Sequence, residues 1–375
     1  MYRPLNEPGV IAELRGQVAC LTLNRPKALN ALSLGMVRAL TQALLAWRED
    51  PAVLAVALRG QGKEGPFGAF CAGGDIRFFH QAALADDPDL GHFFTEEYRL
   101  NHLIHTYPKP VIAFMDGIVM GGGMGLAQGA SLRLATERSR LAMPETLIGL
   151  FPDVGGGYFL SRCPGHVGEY LGLTGLSLGA ADAVAVGLAD AVVDSARLPD
   201  LWEGLAQTPF ESGSAVEQWC RSHTQPYGST STLPMSDIDA VFGVATWEDA
   251  ITALQALNNE WSVATLAALR QRSPLMLRVV WAQIRRARGM GLADELRMER
   301  DMVAHCFDTR HLQRCGASSE TVEGIRALAV DKDHAPRWQP QRWEDVNEAM
   351  VAPFFESPWP IGEHPLRDLG ANTGG

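Results

Sequence analysis

Short apolar runs alternate with segments of helical periodicity along the first 205 residues. Residues 18–23 alternate and are rich in β-forming side chains, which predicts a strand ending at the turn Asn24-Arg25-Pro26. Residues 36–47 repeat apolar side chains at helical spacing after Ser33, a suitable N-cap. The other predicted elements are strands at 53–58, 111–115, 132–136 and 189–193, a helix at 93–106, and small-residue helices within 155–187. Strands that alternate with helices predict an α/β fold.

Strand patterns fade after about residue 198, and helical spacing replaces them. Four further segments carry apolar residues at this spacing, namely 247–257, 263–270, 274–288 and 293–307. Residues 221–234 are rich in Ser, Thr, Gly and Pro, which predicts an exposed connection. We therefore predict an α/β core over residues 1–205 and a helical C-terminal region over residues 206–375.

Composition narrows the class of protein. The chain has 375 residues, of which 46% are apolar, so it can bury a sizeable core. Its net charge of −11 argues against nucleic-acid and anionic-membrane partners but permits a local basic patch for an anionic ligand. Six irregularly spaced cysteines without a CxxC pair predict reduced thiols in the cytoplasm. We expect no signal peptide, no membrane span and no metal site.

The central segment, residues 142–157, carries the strongest candidate chemistry. Glu145 and Asp153 lie among apolar residues, glycines and two prolines. Because burial disfavours the charged form, we expect the pKa of each acid to rise towards the working pH of a general acid or base. A purely structural interpretation stays open, in which Pro144 begins a helix with Glu145 in its first turn and Asp153 caps the next one.

Two glycine-rich turns, at 71–75 and 121–125, each follow a strand and precede a helix. Glycine lets backbone N–H groups approach a ligand, and two such groups aimed at one point form an oxyanion hole. Tight packing is the structural alternative for each glycine. Neither turn fits GxxxxGK[ST] or a clean GxGxxG, so a nucleotide-phosphate loop is not predicted.

Four motifs in order resemble the crotonase (enoyl-CoA hydratase/isomerase) superfamily. The opening motif is Leu-Asn-Arg-Pro-Lys-Ala-Leu-Asn-Ala-Leu at 23–32, and Phe-Cys-Ala-Gly-Gly-Asp at 70–75 is the first oxyanion turn. Residues 109–123 and the central acidic segment complete the set, which covers residues 10–195. The resemblance implies a crotonase-like spiral of ββα turns and an acyl-CoA substrate that brings its own CoA with no separate cofactor. It favours a homo-oligomer, a trimer or a multiple of one, and a monomer stays open as the alternative.

Within the superfamily, residues 93–101, 143–160 and 323–333 are most similar to hydrolases of short branched 3-hydroxyacyl-CoA thioesters, such as 3-hydroxyisobutyryl-CoA, in valine and branched-chain catabolism. The resemblance implies catalytic roles for Glu145 and Asp153. It implies an oxyanion hole made by Gly122 with either Cys71 or Gly74. The further residues that it implies are Glu97 as a substrate contact and Lys27 and Arg25 as contacts of the CoA phosphates, although all three suit a surface charge equally.

Three other interpretations stay open. Hydratases of the superfamily carry a second catalytic Glu where this chain has Gly125, and dienoyl-CoA isomerases carry a further acid there beside a pair like Glu145 and Asp153. Either activity would therefore have to proceed without that acid. A non-catalytic acyl-CoA-binding subunit is the alternative of another class. The sequence also leaves open whether Glu145 is a nucleophile or a general base.

Overall fold

The computed structural model describes residues 8–224 and 230–371, so residues 225–229 of the predicted exposed connection lie outside the described part. The chain groups into two compact units. Unit 1 comprises the described residues up to Gly74, then Arg99–Ala142 and Ser177–Thr232. Unit 2 comprises Asp75–Tyr98, Met143–Leu176 and the described residues from Leu233 onward. The boundary that the sequence predicts at residue 205 stays a prediction.

The main sheet lies in unit 1 and has six strands in the order β1-β2-β3-β4-β6-β8. β1 pairs antiparallel with β2, and every other pair in this sheet is parallel. Residues 18–23 and 111–115 of this sheet are buried along their whole length, and residues 55–60 are buried at all but one position, which explains their continuous apolar sequences. The strands of unit 1 are β1 Val10–Arg15, β2 Val18–Leu23, β3 Ala55–Gly60, β4 Val111–Met115, β5 Ile118–Met120, β6 Leu132–Ala135, β7 Arg140–Ala142 and β8 Ala191–Val192.

A second, two-stranded sheet completes a repeating arrangement in unit 1. β4 pairs with β6 in the main sheet, while β5 pairs in parallel with β7 in the small sheet. Gly117 has φ +72° and makes the tight turn between β4 and β5. The two turns of the chain that start at β4 and β6 thus each add one strand to each sheet, and a helix follows β5. This is the spiral of ββα turns that the resemblance implies.

The first helix begins at the N-cap that the sequence predicts. The Ser33 side chain accepts a hydrogen bond from the Met36 N–H at the start of α1, as predicted. The helices are α1 Leu34–Arg48, α2 Ile76–Ala85, α3 Asp89–His105, α4 Gly122–Gln128, α5 Gly156–Leu160, α6 Val167–Thr174, α7 Ala180–Ala185, α8 Leu198–Gln207, α9 Gly213–Ser222, α10 Met235–Phe242, α11 Trp247–Leu257, α12 Glu260–Leu269, α13 Pro274–Ala287, α14 Leu292–Phe307, α15 Glu320–Ile325 and α16 Glu348–Val351.

The core of unit 1 lies between the main sheet and two helices. Apolar side chains of β2, β3, β4 and β6 pack with Trp202 and its neighbours on α8 and with Val216 and Cys220 on α9. Phe114 and Trp202 meet edge to face, with ring centroids 5.5 Å apart. The second glycine turn, at 121–125, directly follows β5. The first, at 71–75, lies beside β5 because Cys71 forms a parallel bridge with Val119.

Unit 2 is mostly helical and holds the central acidic segment. α13 packs against α5 and α6, and α14 contacts α5 and α15. The unit also contains the two-residue strands β9 Asp308–Thr309 and β10 Arg314–Cys315, which pair antiparallel. Within residues 8–224 and 230–371, no helix has the length and apolar character needed to cross a membrane.

Candidate active site

The first glycine turn leaves one backbone donor free. The Cys71 N–H donates to the Ile118 carbonyl at 2.9 Å, and the Ala72 N–H donates to the Leu29 carbonyl at 3.0 Å. The Gly73 N–H faces the Cys71 sulfur at 3.4 Å. Among the described residues, none accepts a hydrogen bond from the Gly74 N–H. Of the two alternatives, Cys71 and Gly74, the geometry therefore favours Gly74, because the Cys71 N–H is already paired. The oxyanion hole itself stays a prediction.

The second glycine turn presents the Gly122 N–H at the first residue of α4. N–H groups in the first turn of a helix have no partner within that helix. Gly121, with φ +50°, directs the chain into α4. The two turns touch, since a Cβ on Gly123 would lie 2.4 Å from the Cys71 carbonyl oxygen. Unit 1 therefore carries both candidate donors, from Gly74 and Gly122, on adjoining turns.

The two predicted phosphate contacts differ in their surroundings. Lys27 is exposed on the 3₁₀ turn Pro26–Ala28. The Arg25 guanidinium is half-buried and donates to the Ala31 carbonyl at 2.7 Å, so it already has a structural role. Both assignments stay predictions. A cavity of about 580 Å³ in unit 1, lined among others by Leu29, Lys63 and Arg138, adds two cations that the sequence patterns did not single out.

Glu145 is the first residue of the 3₁₀ turn Glu145–Ile148, directly after Pro144. The Leu150 N–H donates to its carbonyl, and Gly149 closes the turn with φ +66°. The side chain is 6% exposed, and its Oε2 atom accepts no hydrogen bond from the described residues. A buried carboxylate oxygen without a protein donor is available to a substrate or a water molecule.

Asp153 lies on the loop that enters α5, and its side chain is 5% exposed. The Tyr98 hydroxyl donates to its Oδ2 atom at 2.9 Å. The next residue, Val154, has φ +59°, and Gly155 follows with φ +85°. A β-branched residue at positive φ is a conformational outlier that costs about 1–3 kcal/mol and persists only where the surroundings enforce it. The sequence patterns indicated neither Tyr98 nor this strained bend.

Glu97 lies on α3 immediately before Tyr98 and is almost completely buried. Its Oε1 atom accepts no hydrogen bond from the described residues. The alternative of a solvated charge on a helix surface is therefore wrong. Buried oxygens without a hydrogen-bond partner are rare in proteins. Glu97 Oε1 is therefore, like Glu145 Oε2, a candidate acceptor for a polar group of the substrate.

Five carboxyl groups interact in unit 2, and burial is the largest cause of a raised pKa for each. It raises the pKa of Asp153 to about 7, with Glu299 as a further cause. It raises the pKa of Glu145 well above its usual value, and the charge of Asp153 adds to the effect. The pKa of Glu97 rises for the same reasons. The other two members are Glu295 and Glu299 on α14. The expected upward shift is therefore present.

Comparison with known proteins agrees with this architecture. The family model described as Enoyl-CoA hydratase/isomerase matches residues 18–355. The ββα spiral, the glycine turns and the buried acids define a crotonase-type α/β protein, and the chain belongs to the enoyl-CoA hydratase/isomerase family.

Two relatives bear the name of one activity. A "Probable 3-hydroxyisobutyryl-CoA hydrolase 3" of Arabidopsis thaliana is 41% identical over 355 residues, which cover 92% of this chain and 91% of the relative. The "3-hydroxyisobutyryl-CoA hydrolase, mitochondrial" of Homo sapiens is 36% identical over 354 residues, which cover 93% and 88%.

Two solved structures bear other names. A carnitinyl-CoA dehydratase from Mycobacterium thermoresistibile is 35% identical with a TM-score of 0.84, over 96% of this chain and 98% of that one. An enoyl-CoA hydratase from Rhodobacter sphaeroides 2.4.1 is also 35% identical, with a TM-score of 0.81 over 93% and 98%.

Proposed function

We propose that this chain hydrolyses the thioester of a short branched 3-hydroxyacyl-CoA of the 3-hydroxyisobutyryl-CoA type, releasing the free acid and CoA in valine or branched-chain catabolism. The observation that carries the proposal is the buried acid pair Glu145 and Asp153, in which Glu145 keeps one oxygen without a protein donor. Relatives that bear the hydrolase name cover 92% and 93% of the chain.

In the proposed reaction, the N–H groups of Gly74 and Gly122 stabilise the negative charge that develops on the carbonyl oxygen. Glu145 either attacks the carbonyl carbon, giving a mixed anhydride that water then cleaves, or takes a proton from an attacking water. On both routes a carbon–oxygen bond forms, the carbon–sulfur bond breaks, and the CoA thiolate leaves and takes up a proton. Water is the only co-reactant, so the proposal includes no separate cofactor.

Asp153 and Glu97 supply the remaining polar contacts of the proposal. Tyr98 orients the Asp153 carboxyl group, which holds the attacking water or the substrate hydroxyl. Glu97 offers Oε1 as an acceptor for a hydroxyl of the acyl group. An acyl group that lacks this hydroxyl would leave the buried Glu97 oxygen without a donor. A site of this kind strongly disfavours substrates that lack the hydroxyl.

The CoA phosphates need local cations because the chain is acidic as a whole. We propose that Lys27 and Arg25 take part, as the resemblance implies, together with Lys63 of the 580 Å³ cavity. Arg138 of the same cavity is paired with the buried carboxylate of Asp116. The cytoplasmic location and the trimer or multiple of one stay predictions from the sequence and the resemblance.

The test compares two substrates with two readouts. We expect 3-hydroxyisobutyryl-CoA to release free thiol in a colorimetric assay, and crotonyl-CoA to keep its enoyl absorbance. Loss of the enoyl signal without thiol release would establish a hydratase instead, the activity named for a structural relative. The observation against that outcome is Gly125, which lies buried on α4 and provides no second carboxylate. Absence of both signals would reject hydrolysis of this substrate class.

We expect Asp153→Asn to lower kcat about 100-fold or more, because the carboxyl group that orients water is lost. The charge of Asp153 raises the pKa of Glu145. Removing that like charge lowers the pKa of Glu145, so the residual activity should reach its plateau at lower pH than in the wild-type protein. The measurement is the pH profile of kcat/KM for thiol release. An acidic limb that stays in place would show that Asp153 does not act on the group that titrates.

A further inference from the structure

The loop that carries Asp153 has a strained backbone. Val154 is buried and has φ +59°, a conformation that its branched side chain disfavours. The local contact is the Gly156 N–H, which donates to the Asp153 carbonyl at 2.8 Å. One turn-closing bond does not enforce such a bend, so groups from elsewhere in unit 2 must hold it.

Two fully buried side chains of the helical region hold this loop. The Glu299 carboxyl group on α14 accepts the Gly155 N–H at Oε2 (2.8 Å) and the Gly157 N–H at Oε1 (3.1 Å). Gln283 on α13 donates through one Nε2 atom to the Pro152 carbonyl (2.7 Å) and to Glu299 Oε1 (3.2 Å). The bend is therefore held on both sides of Asp153.

We infer that Glu299, oriented by Gln283, is a positioning residue that fixes the Asp153 carboxyl group for thioester hydrolysis by clamping the strained loop. This inference rests on the proposed function, because the consequence that it predicts is a change in that reaction. The clamp itself is a property of the loop and can be measured without a substrate.

The clamp requires a carboxyl group with two accepting oxygens. Glutamine has the same shape, but its single oxygen can accept only one of the two N–H groups, and its NH₂ group would face the other. A hydrophobic side chain would leave both N–H groups buried and unpaired. Burying Glu299 one helical turn after the equally buried Glu295 costs free energy. The need for two accepting oxygens explains why a glutamate occupies this position.

The charge of Glu299 also bears on the acids at the candidate site. It contributes to the raised pKa of Asp153 and of Glu145. The other titratable or charged groups that interact with Asp153, Tyr98 or Glu299 are Glu97 on α3 and Glu295, Arg300 and Cys306 on α14. Burial raises the pKa of Glu299 as well, so Glu299 raises the pKa of Asp153 and Glu145 where it is ionised, and Glu299→Gln removes that contribution.

Glu299→Gln tests the inference through three readouts. We expect kcat for thiol release to fall about 10- to 100-fold while KM changes less than about twofold, since the acid is misplaced and binding is kept. The acidic limb of the pH profile should move to lower pH. Hydrogen exchange at residues 153–157 should become faster, because either the Gly155 or the Gly157 N–H group loses its acceptor. The inference would be overturned if this variant had the wild-type kcat, the wild-type acidic limb of the pH profile and the wild-type rate of hydrogen exchange at residues 153–157.

The matched control is Glu169→Gln, the same change at another fully buried glutamate of unit 2. Glu169 accepts two hydrogen bonds from the Arg288 guanidinium (2.7 and 2.8 Å). This control should lower the melting temperature without moving the acidic limb or the exchange at 153–157. If Glu299→Gln likewise lowers only the melting temperature and changes neither the acidic limb nor the exchange at 153–157, Glu299 has only a structural role and the inference fails.

If Glu299→Gln does not fold, the Gln283→Met variant tests whether the clamp positions Asp153. It should lower kcat in the same direction and speed exchange at 153–157, and unchanged values for both would overturn the clamp. The proposed function fails separately, if the wild-type protein releases no thiol. In that case the exchange measurements still test the clamp.

Discussion

Glu145→Gln should reduce thiol release from 3-hydroxyisobutyryl-CoA by about 10²- to 10⁴-fold in kcat. The amide keeps the shape of the side chain, but it can neither attack a carbonyl carbon nor take a proton from water. Because Glu145 is buried, we do not expect bulk water to take over its role as nucleophile or base. The measurement is steady-state thiol release at saturating substrate, with CoA binding followed by calorimetry.

The Glu169→Gln variant serves as the control for this change as well, since it neutralises an equally buried glutamate that has no role in the proposed chemistry. It should keep at least most of the wild-type kcat. CoA affinity should be unchanged in Glu145→Gln. Normal turnover in Glu145→Gln would remove Glu145 from the mechanism, whether as nucleophile or as base.

The strongly apolar strands could be predicted from the sequence, and the short or exposed ones could not. β2 and β4 have the predicted bounds, because a buried parallel strand needs a continuous apolar run. β3 begins two residues later than predicted, since its bounds are set by pairing with β2 and β4. β1 is a half-exposed edge strand, so its polar residues obscure any alternation.

Short strands also escape sequence patterns. β5 and β7 have three residues each, which is too few for a period of two to be visible. Their existence depends on the pairing of Ile118–Met120 with Arg140–Ala142, about twenty residues further along the chain. Long helices behave in the opposite way, and α11 has the predicted bounds because eleven residues display the helical period fully.

The residues of the candidate site also fall into those that local sequence motifs reveal and those that only the fold brings together. Local motifs indicated Glu145, Asp153, Gly74 and Gly122, because glycine turns and acids among apolar residues are visible within a few positions. The side chains that orient Asp153 come from distant segments. Tyr98 is 55 residues from Asp153, and Glu299 is 144 residues from the Gly155 that it binds. Pattern reading did not connect these positions.

One signal for Glu299 was nevertheless present in the sequence. Glu295 and Glu299 occur at i and i+4 in α14, so they share a face, and half of the residues of this helix are buried, both glutamates among them. Two acids on a buried face are exceptional and call for a partner. The choice between Cys71 and Gly74 could not be made from the motif, because only the structure shows that the Cys71 N–H is paired with the Ile118 carbonyl.

Gly122→Pro should lower kcat for thiol release by about 10²- to 10³-fold, the usual effect of losing one oxyanion donor. Proline lacks the N–H group, and Gly122 is the first residue of α4, where proline fits a helix and no intrahelical bond is lost. The variant therefore removes the proposed donor without removing an intrahelical hydrogen bond. KM should change far less than kcat, because the donor acts mainly on the charge of the intermediate.

The control places proline at the equivalent position of another short helix in unit 1. Ala180 is the first residue of α7, and the preceding Gly179 is extended, as the residue before a proline prefers. Ala180→Pro should retain the wild-type kcat. If both proline variants lose activity alike, the loss reflects the backbone change and not a missing donor. If Gly122→Pro stays fully active, Gly122 does not stabilise the oxyanion, and the proposed hole must be abandoned.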